Sequence, residues 1–162
     1  MPIKFENLGV LVVEDAPPML ELVSGVLNVL GVRKISTARD GEQGWERFQR
    51  DKPDIVITDW LMEPMDGIEL TLKIRRDALS VDRLVPIIIM TGYSAITRVS
   101  LARDIGVTEF LVKPFTANDL ARRIQAIIER PRDFVDSGSF FGPDRRRRRD
   151  QQYQGPNRRD DI

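Results

Sequence analysis

Five side chains that could act together on a charged ligand stand at or just after the ends of apolar runs. Glu14 and Asp15 follow the first run, Asp59 follows the third, Thr91 the fourth and Lys113 the fifth. Carboxylate, hydroxyl and ammonium groups can bind a hard cation and stabilise a phosphoryl group in transfer. The chain contains no Cys and no His, which excludes thiolate zinc sites, disulfides and histidine-dependent relays.

The apolar runs predict the strands that must position these side chains. Their β-branched character indicates strands covered on both faces, as in a parallel sheet. The predicted strands are residues 8–13, 33–38, 55–57, 86–90 and 110–112, and the predicted helices are 19–30, 42–50, one following Asp66, 95–104 and one following Thr116. Strands that alternate with helices indicate an α/β fold with one parallel sheet.

The carboxyl ends of these strands predict a cation site, because ligands of open α/β sheets bind there. Three carboxylates that converge would repel one another unless a cation joined them. Oxygen ligands alone favour a hard ion. We therefore expect Mg²⁺, bound by Asp15, Asp59 and the backbone carbonyl of Leu61, with Glu14 acting through water.

A metal at this place would make Asp59 a candidate nucleophile toward a phosphoryl donor. Lys113 and the Thr91 hydroxyl would then stabilise the oxygens of the transferred group. A single Asp at a strand end is more often a turn residue or a helix cap. The match of five residues to five roles on four strand ends favours the functional interpretation.

Short motifs around these residues give a family resemblance. They are Val13-Glu14-Asp15, Asp59-Trp60-Leu61-Met62, Met65-Asp66-Gly67, Thr91-Gly92 and Lys113-Pro114-Phe115. Residues 5–130 resemble the receiver domain of two-component response regulators, the CheY-like family. The resemblance implies a doubly wound, flavodoxin-like fold and phosphorylation of Asp59 by a histidine kinase, a phosphotransfer protein or a small phosphodonor. It implies no enzyme beyond autophosphorylation and autodephosphorylation at Asp59.

The resemblance also assigns a switch role to Thr91 and to Phe110, which stands three residues before Lys113. Two features depart from the family pattern. Residues 62–67 carry an extra acid, Glu63, with the proline displaced by one position, and Phe110 lacks the hydroxyl of the common Tyr.

The segment after residue 130 has a different composition. Residues 131–139 are a predicted linker, and residues 140–162 hold seven Arg, no Lys and four Asp, with too few aliphatic residues for a core, so a disordered tail is predicted. A Gly-Pro-Asp/Asn-Arg-Arg cassette occurs twice, at 142–146 and 155–159. Because guanidinium is planar, forked and able to stack, the tail is predicted to bind a planar, phosphate-bearing ligand.

Four interpretations of this arginine-rich tail stay open from composition. A solvated charge run does not explain the repeated cassette. RNA would use phosphate contacts and stacking, and an anionic membrane would attract the same charge, but the four Asp weaken both; DNA is not expected as a partner. A guanine nucleotide fits differently, because Arg can bind guanine O6 and N7, while Asp144 or Asn157 could accept from N1 and N2.

Two similar half-sites predict a ligand with two equivalent halves. Cyclic di-GMP, alone or as an intercalated dimer, has that symmetry. The tail resembles those of α-proteobacterial CheY-like cyclic di-GMP effectors, which implies control of a flagellar motor switch protein, and hence of motility and surface attachment. The predicted nucleotide-binding residues are Phe141, Gly142, Pro143, Asp144, Arg145, Arg146, Arg147, Arg148, Arg149, Tyr153, Gly155, Pro156, Asn157, Arg158 and Arg159.

Hydropathy predicts no transmembrane segment, because no run approaches the roughly 18 apolar residues of a membrane span. The first residues also lack a basic region followed by an apolar run. A cytoplasmic protein, recruited to the flagellated pole, is expected. The alternative function is a phosphorylation-driven single-domain receiver or phosphate shuttle whose basic tail contacts RNA or membrane.

Overall fold

The computed structural model describes residues 5–92, 102–129, 134–136 and 141–143, with side chains left undescribed at 134–136 and 141. The main strands are Gly9–Val13 (β1), Lys34–Ala38 (β2), Ile55–Asp59 (β3), Ile87–Thr91 (β4) and Glu109–Val112 (β5). The helices are Pro17–Val29 (α1), Gly41–Asp51 (α2), Gly67–Arg76 (α3), the described residues 102–105 (α4) and Ala117–Glu129 (α5), preceded by a short 3-10 helix at Phe5–Asn7.

The five main strands form one parallel sheet in the order β2-β1-β3-β4-β5. The chain order reverses between β1 and β3, and such a switch point leaves a crevice at the carboxyl ends of the two strands. β1 ends at Val13, opposite Thr58 of β3, and β3 ends one residue later at Asp59. The predicted five-stranded parallel sheet is confirmed, and its register aligns the chemically active strand ends.

Side chains of β1 alternate between two apolar layers, as the period of a strand requires. Leu11 and Val13 pack in the layer that includes residues of α2 and α3, while Val10 and Val12 pack with residues of α1 and α5. All four are buried. The sheet is therefore covered on both faces, which confirms the doubly wound prediction.

The starts of α2 and α5 follow from local side-chain caps. Asp40 accepts from the backbone N–H of Gln43 at 2.9 Å and begins α2. Thr116 and Asp119 cap α5 reciprocally, with the Asp119 N–H donating to Thr116 Oγ1 at 3.1 Å. Each cap gives a donor at a helix terminus the partner that the helix itself lacks.

Arg75 closes the opposite, amino-terminal end of the sheet. Its side chain is fully buried and donates to the backbone carbonyls of Gly106 (3.0 Å), Arg83 (2.9 Å) and Val85 (2.6 Å). Desolvation lowers the pKa of Arg75 to about 9, so the guanidinium remains charged at neutral pH. It ties α3 to the segments that lead into β4 and β5.

Two short strands follow α5, Phe134–Asp136 (β6) and Phe141–Pro143 (β7), and we call them the C-terminal strand pair. They are antiparallel, with Val135 opposite Gly142. β7 contacts α3, and Gly142 and Pro143 are buried. This pairing was not predicted, because three-residue strands carry no clear period and Gly and Pro disfavour strands. It joins part of the predicted linker to the start of the predicted tail.

Within the described ranges, no helix is long and apolar enough to span a bilayer.

Candidate functional site

Three carboxylates meet at the carboxyl ends of β1 and β3. Glu14 and Asp15 directly follow β1, and Asp59 is the last residue of β3. One carboxylate oxygen from each lies within 4.8 Å of the others. The parallel register explains this convergence, since strands that end together place their last side chains at one edge of the sheet.

Lys113 is the cation of this cluster. Its Nζ lies 3.3 Å from Asp59 Oδ1 and 3.7 Å from Glu14 Oε2. The backbone N–H of Lys113 donates to the carbonyl of Thr91 at 2.7 Å, which fixes the start of the β5–α5 connection against the end of β4. One ammonium group is thus shared between two carboxylates.

Burial and a neighbouring charge perturb the carboxyl group of Glu14. Its pKa is raised from the ordinary 4.5 to about 7, first by burial and then by the charge of Asp59, while Lys113 opposes the shift. Its Oε1 accepts weakly from the Ala16 N–H at 3.4 Å. Its Oε2 is buried without a hydrogen-bond partner among the described residues. Such an orphaned oxygen indicates a site built for a further positive partner.

Asp59 is oriented by its own neighbour in the chain. The backbone N–H of Trp60 donates to Asp59 Oδ1 at 2.8 Å, the same oxygen that faces Lys113. The carboxylate adjoins a pocket of about 460 Å³, whose lining residues are Asp59, Trp60, Leu61, Thr91, Gly92 and Lys113. The pocket is large enough for a phosphoryl group with bound water.

The donor set fits Mg²⁺. The three clustered side chains offer only carboxylate oxygens, Leu61 lies at the same pocket, and the buried Oε2 of Glu14 lacks a donor. Hard oxygen ligands combined with room for water are what Mg²⁺ requires. Asp15, Asp59 and the Leu61 carbonyl would hold the ion, with Glu14 beside it.

Comparison with known proteins agrees with this geometry. Residues 10–125 match the family described as the response regulator receiver domain. The chain belongs to this family.

The relatives of this receiver domain include regulators of different length. Chemotaxis protein CheY1 of Helicobacter pylori is 31% identical over 122 residues, which cover 75% of this chain and 97% of CheY1. The phosphate regulon transcriptional regulatory protein PhoB of Pseudomonas aeruginosa is 29% identical over 121 residues, but the match spans only 52% of PhoB. The domain is of the CheY type, and receiver domains are in general non-catalytic signalling modules.

A solved relative shows the metal chemistry of the family. The receiver domain of sensor histidine kinase PA1611 from Pseudomonas aeruginosa superposes with a TM-score of 0.67 at 29% identity, covering 75% of this chain and 98% of that one. Its structure contains a magnesium ion coordinated in the active-site cleft. Acidic receiver pockets typically bind Mg²⁺, as the sequence predicted for this one.

The two predicted switch residues occupy different positions. Thr91 is buried at the end of β4 and lines the pocket. Phe110, in β5, is 7% exposed and packs in the layer of α2 and α3. The guanidinium carbon of Arg103 lies 5.9 Å from the centre of the Phe110 ring. The structure brings Thr91 to Asp59 and places Phe110 in the adjoining core.

The predicted nucleotide-binding residues fall mostly outside the described part of the chain. Phe141, Gly142 and Pro143 form β7. Asp144, the five arginines at 145–149, Tyr153 and the second cassette at 155–159 lie outside the described residues. Their role as a ligand site therefore stays a prediction.

Sequence reasoning did not find the packing of Gly67 against the site. Its N–H donates to the carbonyl of Trp60 at 2.9 Å. A Cβ at this position would overlap the backbone oxygen of Asp59. The Asp66-Gly67 pair was available as a signal, because glycine beside a functional strand end often marks a close backbone approach.

Proposed function

We propose that Asp59 accepts a phosphoryl group and that this chain is a single-domain response regulator. The observation that carries the proposal is the shared contact of Lys113 with Asp59 and Glu14 beside a pocket of about 460 Å³. A lysine held between two carboxylates can turn to a new anion without unfolding the site. A histidine kinase or phosphotransfer protein would supply the phosphoryl group.

In this reaction a carboxylate oxygen of Asp59 attacks the donor phosphorus. The bond from phosphorus to the leaving group breaks, and its electron pair departs with the donor. The Lys113 ammonium and the Thr91 hydroxyl interact with the oxygens of the transferred group. Bound Mg²⁺ would offset the negative charge brought together by the donor and the three carboxylates.

Phosphorylation can be tested with Mg²⁺ and acetyl phosphate or beryllofluoride. The two tryptophans are Trp45 and Trp60, so a Trp45→Phe background isolates the reporter beside Asp59. We expect a change in Trp60 fluorescence that is lost in Asp59→Asn. Asp54→Asn, just before the other end of β3, is the matched control and should respond like the parent. An undiminished response in Asp59→Asn would refute the assignment.

We further propose that the arginine-rich tail binds cyclic di-GMP and thereby controls a flagellar motor switch protein. Support comes from the two Gly-Pro-Asp/Asn-Arg-Arg cassettes and from the pairing preference of Arg for guanine O6 and N7. Phe141 and Tyr153 would supply stacking faces. The CheY1 relative, which is named a chemotaxis protein, is consistent with control of motility.

Calorimetry on the full chain tests this proposal. Cyclic di-GMP should bind, and GTP and RNA should bind far more weakly. Replacing Arg145 and Arg146 by Lys, or Arg158 and Arg159 by Lys, keeps the charge but removes the forked donor geometry. Removal of each bidentate interaction should weaken binding by roughly 1 to 3 kcal/mol. Arg33→Lys is the control swap.

The competing function has its own signature in the same experiment. A tail that acts only as a polycation would bind RNA or anionic vesicles, depend steeply on salt and tolerate every Arg→Lys swap. Asp144→Ala would then strengthen binding because it removes a negative charge. That combination of results would favour a phosphorylation-driven receiver whose tail contacts RNA or membrane.

A further inference from the structure

The C-terminal strand pair depends on the receiver domain for its stability. Each strand has only three residues, and two such strands alone are at best marginally stable in water. Yet Gly142 and Pro143 are buried, and β7 contacts α3. The contact with α3 therefore accounts for the order of the pair.

This contact brings the chain from one face of the sheet to the other. α5 packs in the layer of α1, whereas α3 packs in the opposite layer. Phe134 pairs with Pro143 and follows the end of α5 at Glu129 by five residues, a reach of roughly 17 Å. Pro143 is also the residue directly before Asp144 and the arginine run. β7, which ends at Pro143, thus lies beside α3.

α3 is anchored to the Asp59 pocket at its first residue. Gly67 donates to Trp60 O at 2.9 Å and leaves no space for a Cβ against Asp59 O. One turn along, Thr71 Oγ1 donates to the Gly67 carbonyl at 2.7 Å. A movement of the Asp59 backbone therefore reaches α3 through direct contact.

The far end of α3 is anchored as well. Arg75 holds the carbonyls of Gly106 and Val85 at 3.0 and 2.6 Å. A rigid helix can carry coupling between the groups that contact it at different places along its length. Binding at the Asp59 pocket, which adjoins the first turn of α3, and docking of β7 on α3 then act on the same helix.

We propose that the docking of the C-terminal strand pair on α3 and the loading of the Asp59 pocket are thermodynamically coupled through α3. Docking and loading each restrict the same helix, so whichever occurs first removes part of the ordering cost of the second. The coupling is positive, and it is reciprocal by linkage. It gives the receiver pocket a route to the arginine-rich tail that needs no separate output domain.

The test uses Mg²⁺ alone as the probe, in the full chain with Trp45→Phe. Gly142→Glu places a charge at a buried position of β7, and Gly155→Glu makes the same change in the second cassette. We expect Gly142→Glu to weaken Mg²⁺ binding, read by Trp60 fluorescence, by about fivefold or more. Gly155→Glu should stay within about twofold of the parent, the reference range for no coupling.

Hydrogen exchange verifies the structural cause. The amides of α3 should gain protection on adding Mg²⁺ in the parent, and less so in Gly142→Glu. Val135→Asp, opposite Gly142 in the register, breaks the same pair from the other strand and should reproduce both effects.

Each outcome bears on the proposal. Unchanged Mg²⁺ affinity in Gly142→Glu and Val135→Asp, with exchange showing β7 released, overturns the coupling. Tighter Mg²⁺ binding in these variants overturns it too, because the sign is then negative. A parent chain without any Mg²⁺ response refutes the proposed receiver chemistry together with the coupling. Cyclic di-GMP is absent throughout, so the ligand proposal is tested separately.

Discussion

The two ends of the sheet hold their cationic side chains in opposite ways: Lys113 is half-buried, and Arg75 is fully buried. At the carboxyl end, Lys113 Nζ lies 3.3 and 3.7 Å from two carboxylate oxygens, and Glu14 Oε2 still lacks a hydrogen-bond partner among the described residues. At the amino end, Arg75 donates to three backbone carbonyls at 2.6 to 3.0 Å. The first arrangement leaves interactions incomplete, and the second completes them.

This difference distinguishes the carboxyl-end site, which has an unpaired acceptor suited to a ligand, from the Arg75 site, which stabilises the fold. Buried polar groups that are fully paired rigidify a structure, while buried groups left partly paired are costly and are kept where a function requires them. α3 runs between the two ends, with Gly67 at the pocket and Arg75 at the structural anchor. Substitutions at either end of the sheet test this contrast.

The largest effect is expected at the structural end. Arg75→Ala leaves the buried carbonyls of Gly106 and Val85 without this donor, which should cost at least about 3 kcal/mol of unfolding free energy. Urea unfolding measures the change. Arg76→Ala, the exposed neighbour, should stay within about 0.5 kcal/mol of the parent. Equal destabilisation in the two variants would remove the contrast between the ends.

At the pocket end, removing the charge of Glu14 should instead stabilise the folded chain. Because the pKa of Glu14 rises from 4.5 to about 7 on folding, the unfolded chain releases this proton first as pH rises. The unfolding free energy should therefore fall between about pH 4.5 and 7, and the penalty is complete above pH 7. It amounts to at most about 3.4 kcal/mol, from 1.36 kcal/mol per pKa unit.

Glu14→Gln should remove most of that fall. Without Mg²⁺ at pH 8, we expect this variant to be more stable than the parent, with a flatter pH profile from 5 to 7. Unfolding by urea in the presence of a chelator measures both. Glu129→Gln, on the exposed end of α5, should keep the parent profile. A Glu14→Gln chain that is less stable at pH 8 would show that the pocket is not electrostatically frustrated.

The smallest of the three expected effects tests the close contact between α3 and Asp59. Gly67→Ala forces a Cβ onto the Asp59 carbonyl and should cost about 1 to 3 kcal/mol. Gly25, inside α1, has nothing within 4 Å of an added Cβ, so Gly25→Ala should gain about 0.5 to 1 kcal/mol. Thermal unfolding compares the pair. A neutral Gly67→Ala would argue against a tight link between α3 and Asp59.

The fold was predictable wherever local signals and the core agreed. The apolar runs that predicted β1, β3 and β4 have that character because both faces of the sheet are covered. Asp40 and Thr116 cap the helices that begin after them. The pocket residues were predictable for the related reason that parallel strand ends share one edge of the sheet.

The C-terminal strand pair was not predictable in the same way. Gly142 and Pro143 are poor strand residues by propensity, and their pairing with Phe134 and Val135 is accompanied by a contact with a helix more than sixty positions earlier in the chain. No local pattern encodes such a contact. Arg75 was missed for a similar reason, because the carbonyls that it binds come from the segments before β4 and β5.

The sequence by itself determined which residue types stand at each strand end, since that depends on the apolar runs and the one residue that follows them. Only the tertiary structure decided how those groups interact. The shared contact of Lys113, the raised pKa of Glu14 and the close approach of Gly67 to Asp59 depend on distances of a few ångströms between separate elements. Coulomb energy and desolvation change steeply over such distances, and a linear chain does not specify them until its layers have packed.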